Sequence, residues 1–368
     1  MKKFLALVLF FVSVAGTLFA AGTALVVAGS DFQGKTHEES SAIVASILSQ
    51  IKKDYPRADG FLFCGDYTLD INNPRSSEAG IAALKKTLSA SEMSFPPEAT
   101  VLVQGNHDPE DTRGMSPSGG NDPANGRWGV FVINEDDFMW FQGLRRTNGN
   151  PHISDDESTV ESTAMNLIIY LQQKKLEDFK GPIFVISHLP LHYSMRTYND
   201  GDAQYARLIF DVLNLYARQG LKIIYLFGHN HSNGWDNYIG SARVCLLPGE
   251  KMPIAACIEE NLDQRNAKVR ERHYDHKRCD ILPLHFVYMN AGYTGYFKTT
   301  DANDGADRTL SMTTFEIGGN GKVKIRRYSA NGPCDLKAPG VVNTRDGGQE
   351  AKLNFYKPYT DKKTVCEI

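Results

Sequence analysis

The chain has 368 residues, of which 42% are hydrophobic and 23% are charged, and its formal net charge is −3. This composition excludes an intrinsically disordered chain and a collagen-like repeat, and the length allows one large domain or two ordinary ones. The acidic balance argues against general nucleic-acid binding, which requires a basic surface.

The first twenty residues have the pattern of a secretory signal peptide. Two lysines follow Met1, an apolar run extends from Phe4 to Phe19, and the small residues Ala20 and Ala21 follow it. We therefore expect residues 1–20 to be removed and the protein to be periplasmic or secreted. A membrane anchor is the alternative, but the apolar run is short for a span and no charged stop follows it. The mature form is expected not to be embedded in a membrane.

After the signal sequence, apolar strands alternate with helical patterns, which predicts a layered α/β domain. Several strands are continuous apolar runs, which is typical of a sheet covered on both faces. The predicted strands are Leu25–Ala28, Phe61–Cys64, Val101–Val103, Ile183–Ile186 and Ile223–Phe227. The predicted helices span about 43–51, 81–88, 163–179 and 203–217.

The sequence becomes rich in β patterns after Trp235. Strands are predicted at Val244–Leu247 and His285–Met289. Phe315 and Ile317 alternate before a Gly-Gly-Asn-Gly turn, and Val323 and Ile325 alternate after it, which indicates a β-hairpin.

One domain is predicted over residues 21–330, followed by a loop-rich extension over 331–368. Two polar segments resemble insertions, at about 111–129 and about 249–283. The second contains a basic cluster between positions 270 and 278. A solvated surface loop is favoured over substrate contact for this cluster.

Five predicted strands are followed by motifs that contain metal-ligand residue types. Singly, each is typical of a turn or a helix cap. Because the carboxyl ends of strands in an open α/β sheet converge on one crevice, five such motifs together favour a shared site. The motifs are Asp31-Phe32-Gln33, Gly65-Asp66, Gly105-Asn106-His107-Asp108, Ser187-His188 and Gly228-His229-Asn230-His231.

In this order the motifs resemble those of the calcineurin-like metallophosphoesterase superfamily. The resemblance covers about Ala24 to His231, and the β-rich continuation to about Tyr328 is compatible with it. It implies a layered α-β-β-α sandwich with two mixed sheets and helices outside. It also implies hydrolysis of a phosphate ester by a hydroxide held between two metal ions.

Two divalent ions about 4 Å apart repel each other, so a shared carboxylate between them is required. A shell of imidazole and amide groups with few carboxylates suits manganese, iron, zinc or cobalt. The resemblance assigns Asp31 and His231 to one metal, Asn106, His188 and His229 to the other, and Asp66 to both.

Gln33 departs from the family pattern, because many members have histidine at this position. An amide oxygen is a weaker and harder ligand than imidazole, so we predict looser metal binding at Asp31 and His231. Direct ligation by Gln33, contact through water and no ligation all remain open at this point.

The resemblance places His107 above the metals, as the general acid that protonates the leaving group, a role for which histidine titrates in the right range. Asp108 is a second catalytic candidate that would orient His107; the alternative is that Asp108 only caps the turn. His192 and Arg196 follow a ligand in a polar loop and are candidates for phosphate contact, with structural or surface roles as the alternative.

The favoured function is hydrolysis of a small phosphate mono- or diester, or of a nucleotide. A secreted nucleotidase or nuclease is the alternative among enzymes, although no basic groove is evident in the sequence. A non-catalytic metal-binding interaction module is the alternative from another class. Retention of His107 together with all six implied ligands favours catalysis, because a degenerate member is expected to lose some of them.

Overall fold

The structure is a computed structural model of the full chain. It describes residues 23–34, 36–68, 73–108, 115–135, 137, 144–147, 150–153, 159–192, 200–231, 245–254, 280–295, 310–329 and 364–367. The predicted signal peptide, the basic cluster of the second insertion and Arg196 lie outside the described residues.

Six strands form the first sheet. Strands β1, β2 and β3 are parallel, and the other pairings are antiparallel, so the sheet is mixed. The edge strand β16 lies within the predicted loop-rich extension. In spatial order the strands are β16 (Thr364–Glu367), β15 (Val323–Ser329), β14 (Ser311–Ile317), β1 (Ala24–Gly29), β2 (Gly60–Phe63) and β3 (Thr100–Leu102).

Six strands also form the second sheet, which is mixed for the same reason. Strands β5, β8, β9 and β13 are parallel, while β4 and β10 pair antiparallel at the two edges. In spatial order the strands are β10 (Cys245–Leu246), β13 (Val287–Asn290), β9 (Lys222–Phe227), β8 (Pro182–Ser187), β5 (Gly129–Ile133) and β4 (Gly119–Gly120). The described residues also form two small antiparallel pairs: β6 (Leu144–Thr147) with β7 (Asn150–Ile153), and β11 (Lys251–Ile254) with β12 (Asp280–Pro283).

In the part of the chain that the structure describes, four helices cover the outer faces of the sheets. They are α1 (His37–Lys52), α2 (Pro74–Ala90), α3 (Thr159–Leu176) and α4 (Asp200–Arg218). A short 3₁₀ turn, Pro97–Ala99, precedes β3. The N-terminus of α1 is capped by Thr36, whose hydroxyl accepts a hydrogen bond from Glu39 N at 3.2 Å. Among the described residues, no helix combines the length and apolarity needed to cross a lipid bilayer.

The alternation of side chains along each strand divides the core into three layers. On β1, Leu25 and Val27 pack with the helices α1 and α2, whereas Val26 and Ala28 pack between the two sheets. The helices α3 and α4 cover the outer face of the second sheet in the same way. The predicted α-β-β-α sandwich with two mixed sheets is therefore confirmed.

The sequence patterns located most of these elements to within a few residues. The predicted hairpin is present as β14 and β15, in which Phe315 pairs with Ile325 and Ile317 pairs with Val323. Strand β5 was not predicted. It follows a segment rich in Gly, Pro, Ser and Asn that was interpreted as an insertion, and that composition obscured the short apolar run.

The middle layer provides a test of packing between the sheets. The ring of Phe184 lies 4.9 Å from the ring of Phe315 in the opposite sheet and 5.8 Å from Trp128, measured between centroids. We predict that Phe184→Ala lowers the free energy of unfolding by about 3–5 kcal/mol, measured by chemical denaturation. Leu176→Ala is the control, because Leu176 is 78% exposed and its truncation should change stability by less than about 0.5 kcal/mol. Similar losses in the two variants would contradict this packing.

Candidate metal centre

The five motifs meet where the two sheets present the carboxyl ends of their parallel strands. Within the first sheet, the backbone N–H of Asp31 donates to the carbonyl of Gly65 at 2.9 Å. Across the sheets, Nδ1 of His188 lies 2.7 Å from the carbonyl oxygen of Cys64. These contacts join the loops after β1, β2 and β8 into one site.

The first pocket, which we call the His188 pocket, is formed by Asn106, His188, His229 and Asp66. The Oδ1 of Asn106 lies 2.9 Å from both His188 Nε2 and His229 Nδ1, and these two ring nitrogens are 3.3 Å apart. Because Nδ1 of His188 donates to a carbonyl, Nε2 of the neutral ring presents its lone pair to the pocket. Nitrogen and oxygen acceptors therefore converge on one point, as a divalent cation requires.

The second pocket, which we call the Asp31 pocket, is formed by Asp31, His231 and the same Asp66. One ligand atom from each of these residues lies within 4.8 Å of the other two. The Oδ1 of Asp31 is 3.3 Å from His231 Nε2 and accepts no hydrogen bond from the described residues. A buried carboxylate oxygen without a donor is costly unless a cation neutralises it, so this pocket also fits a metal.

Asp66 joins the two pockets. Its Oδ2 lies 3.3 Å from His188 Nε2 and 2.5 Å from Nε2 of Gln33, and its Oδ1 accepts a hydrogen bond from His107 N at 2.9 Å. The side chain is fully buried. All seven residues predicted for the metal site, Gln33 included, are therefore close together in the fold.

The charges of His188 and Asp66 shift each other's pKa values. Burial alone would lower the pKa of His188, but the Asp66 carboxylate raises it to about 10. Burial would raise the pKa of Asp66, but His188 and His107 hold it well below its usual range. In the metal-free protein, the proton on His188 thus partly neutralises the Asp66 carboxylate. A bound cation would take over this role.

Four of the proposed ligands have backbone conformations that only glycine adopts easily. The φ angles of Asp31, Asp66, His229 and His231 are 58°, 62°, 64° and 46°. Each such residue costs about 1–3 kcal/mol, and such strain clusters at functional sites. A Cβ on Gly105 would overlap Asp66, so the glycine of that motif allows the two loops to approach closely.

A family model described as calcineurin-like phosphoesterase matches residues 28–233, a range that contains all five motifs. The chain belongs to the calcineurin-like phosphoesterase family. Members of this family generally bind divalent metal ions, in agreement with the ligand cluster described above.

No curated protein sequence matches the chain at a significant level. Among solved structures, the chain is similar to one titled "GAP50 the anchor in the inner membrane complex of Plasmodium". The identity is 13%, the TM-score is 0.40, and the match covers 91% of this chain and 90% of that one. A likeness at this level carries no argument about function.

In this calcineurin-like phosphoesterase the carboxylate of Asp108 lies behind the ligand loops. One of its oxygens accepts hydrogen bonds from Gly105 N and Asp66 N, both at 2.8 Å. The other accepts from Tyr67 N at 2.9 Å and from the Ser77 hydroxyl at 2.7 Å. This geometry favours the turn-stabilising alternative, and Asp108 is a positioning residue that fixes Asp66.

The two candidates for phosphate contact have different outcomes. His192 is buried, with its Nδ1 2.6 Å from the hydroxyl of Tyr288, and its ring packs edge-to-face on Phe227 and Tyr288. These contacts favour its structural alternative. Arg196 lies outside the described residues.

Sequence reasoning missed a sixth loop of the candidate metal centre, the turn after β13. The ring of Tyr293 stacks on His231, with centroids 5.3 Å apart. The hydroxyl of Thr294 donates to the carbonyl of Ser30 at 2.9 Å, and the Ser30 hydroxyl contacts Asp31. The available signal was the small pair Ala291-Gly292 directly after the apolar run of β13.

The charge on His188 leads to a pH dependence in the metal-free protein. Because its folded pKa of about 10 lies above the ordinary value of 6.5, the native state holds the extra proton. The contribution of this proton to the free energy of unfolding is complete below pH 6.5 and is lost as the pH rises through about 10. Urea unfolding of chelator-treated protein should therefore show a decline in stability over this window, and His188→Gln should remove part of that decline. The same pH profile in both proteins would exclude His188 as the source.

The position of Asp108 is testable through stability. Asparagine has the shape of aspartate but only one acceptor oxygen. In Asp108→Asn the amide nitrogen therefore faces two of the four groups that donate hydrogen bonds to the Asp108 carboxylate. We expect a loss of about 1–3 kcal/mol for each buried donor left without an acceptor, measured by chemical denaturation. The matched control is Asp211→Asn on α4, where the side chain is 52% exposed. An unchanged unfolding free energy in Asp108→Asn would rule out the positioning role.

Proposed function

We propose that this chain is a metal-dependent phosphoesterase that hydrolyses a phosphate mono- or diester of a small molecule or nucleotide. The observation that carries the proposal is the pair of adjacent ligand pockets that share the carboxylate of Asp66. A single structural metal would require only one such pocket.

The donor set supports the cofactor assignment. Its charged members are Asp31 and Asp66, and the remaining donors are imidazoles and amides, a mixture that suits manganese, iron, zinc or cobalt. Two divalent ions held by these residues would supply charge stabilisation to the phosphate oxygens and lower the pKa of an attacking water. Two carboxylates do not balance the charge of two such ions, so the residues leave a positive site that attracts an anionic phosphate.

His107 is our candidate for the group that handles the proton of the leaving group. Its backbone N–H is fixed on Asp66 Oδ1 at 2.9 Å, and its side chain is half-buried rather than enclosed in the core. A histidine with this partial exposure at the edge of the centre can reach a bound ester and donate to the departing oxygen. We assign it the role of general acid.

We also propose that the protein acts outside the cytoplasm, in the periplasm or after secretion. The support is the signal-peptide pattern of residues 1–20. The substrate would then be a phosphate ester present in that compartment.

The direct test is hydrolysis by purified protein that has been stripped with chelator and reloaded with manganese, zinc, iron or cobalt. The substrates are aryl phosphate monoesters, aryl phosphate diesters, nucleotides and single-stranded DNA. Metal-dependent turnover of an aryl ester supports the proposal, and a strong preference for nucleotides or DNA would indicate the nucleotidase or nuclease alternative. Metal uptake without hydrolysis of any substrate would indicate the non-catalytic module.

Two variants separate metal binding from proton transfer. We expect Asp66→Ala to lose bound metal and activity together, because both pockets lose their shared ligand. In contrast, His107→Ala should keep its metal and lose about 10²–10⁴-fold in kcat, most severely for esters with poor leaving groups. The control is His37→Ala on α1, which should leave activity and metal content unchanged. Equal loss of metal in the Asp66 and His107 variants would contradict the role of His107.

A further inference from the structure

The amide of Gln33 donates to the carboxylate that the two pockets share. The side chain is fully buried, and its Nε2 donates to Asp66 Oδ2 at 2.5 Å. Its Oε1 is also buried and accepts no hydrogen bond from the described residues. The opposite amide orientation would place two acceptor oxygens against each other at this distance, so the nitrogen must face the carboxylate.

The other amide in the centre behaves in the opposite way. Asn106 turns its oxygen towards the ring nitrogens of His188 and His229, both at 2.9 Å. In the His188 pocket the amide therefore adds an acceptor for a cation. The amide of Gln33 instead donates to the shared Asp66 carboxylate, so it already satisfies an oxygen that two cations would need.

We propose that Gln33 makes the two pockets unequal, so that a divalent cation fills the His188 pocket first and the Asp31 pocket only after the Gln33 amide has turned away from Asp66. A half-turn of the amide exchanges its two ends. The buried Oε1, which accepts no hydrogen bond from the described residues, would then face a bound cation as a ligand. A carboxylate oxygen has two lone pairs, so Asp66 Oδ2 can keep the amide hydrogen bond beside the first cation and loses it only when the second cation enters. That loss weakens binding in the Asp31 pocket, which is filled second. This inference rests on the proposed metal-dependent function.

The competing bond has a charged acceptor, and such hydrogen bonds are about twice as strong as those between neutral groups. The affinities of the two pockets for one metal should therefore differ by about tenfold or more. Titration of chelator-treated full-length protein with Mn²⁺, followed by the electron paramagnetic resonance signal of free Mn²⁺, is expected to resolve two dissociation constants. A single constant for two equivalent ions in the wild type would overturn the inference.

The decisive variant is Gln33→Glu, which has no N–H to donate and adds a carboxylate ligand. We expect the weaker constant to tighten by about tenfold or more, while the tighter constant changes little. The preserved tight constant also shows that the variant is folded. The matched control is Gln50→Glu on α1, which makes the same change of charge away from the centre and should leave both constants unchanged.

A second variant guards against misfolding of the first. Gln33→His offers an imidazole, which is a stronger ligand for these metals than an amide, and it should also tighten the weaker constant. If either variant retains the tight constant and leaves the weaker one unchanged, Gln33 does not set the affinity. A change of equal size in Gln50→Glu would likewise overturn the assignment.

Failure of this inference and failure of the proposed function give different results. Hydrolysis by a wild-type protein with two equal constants would overturn only the role of Gln33. Two unequal constants that Gln33 controls, without hydrolysis of any ester at saturating Mn²⁺, would overturn only the phosphoesterase activity.

Discussion

The buried carboxylate of Asp66 is the constraint on which the rest of the site depends. A fully buried charge is unstable without partners, and every group around Asp66 addresses this requirement in some way. His188 and the Gln33 amide approach one oxygen, and the backbone of His107 donates to the other. The same requirement makes the position attractive to a pair of cations, for which one shared carboxylate is the natural bridge.

The position of the Asp66 carboxylate depends mainly on the backbone conformation of the loops around it. Two sheets face each other across an apolar layer, and the loops after their parallel strands touch at one edge. Residues with positive φ concentrate in these loops, and Asp108 ties two of them together through backbone N–H groups. The stability of the sandwich thus supports strained turns that would not persist alone.

The sequence indicated which residues belong to the candidate site more clearly than it indicated what each residue does there. The ligand motifs stood out because each follows an apolar strand and their order is specific to the family. The roles of Asp108 and His192 were open in the sequence, because each had a catalytic or binding interpretation and a structural one. Only their partners decided between them: backbone amides and Ser77 for Asp108, and the Tyr288 hydroxyl for His192.

The sequence by itself determined the layered α/β class, the closing hairpin and the positions of the motifs that meet in the candidate metal centre. Each of these follows from local periodicity or from a short motif at a strand end. The tertiary structure alone decided that the turn after β13 reaches His231 and that the amide of Gln33 presents its nitrogen to Asp66. Such facts depend on contacts between residues far apart in the chain, whose relative orientation is fixed only when the two sheets pack together.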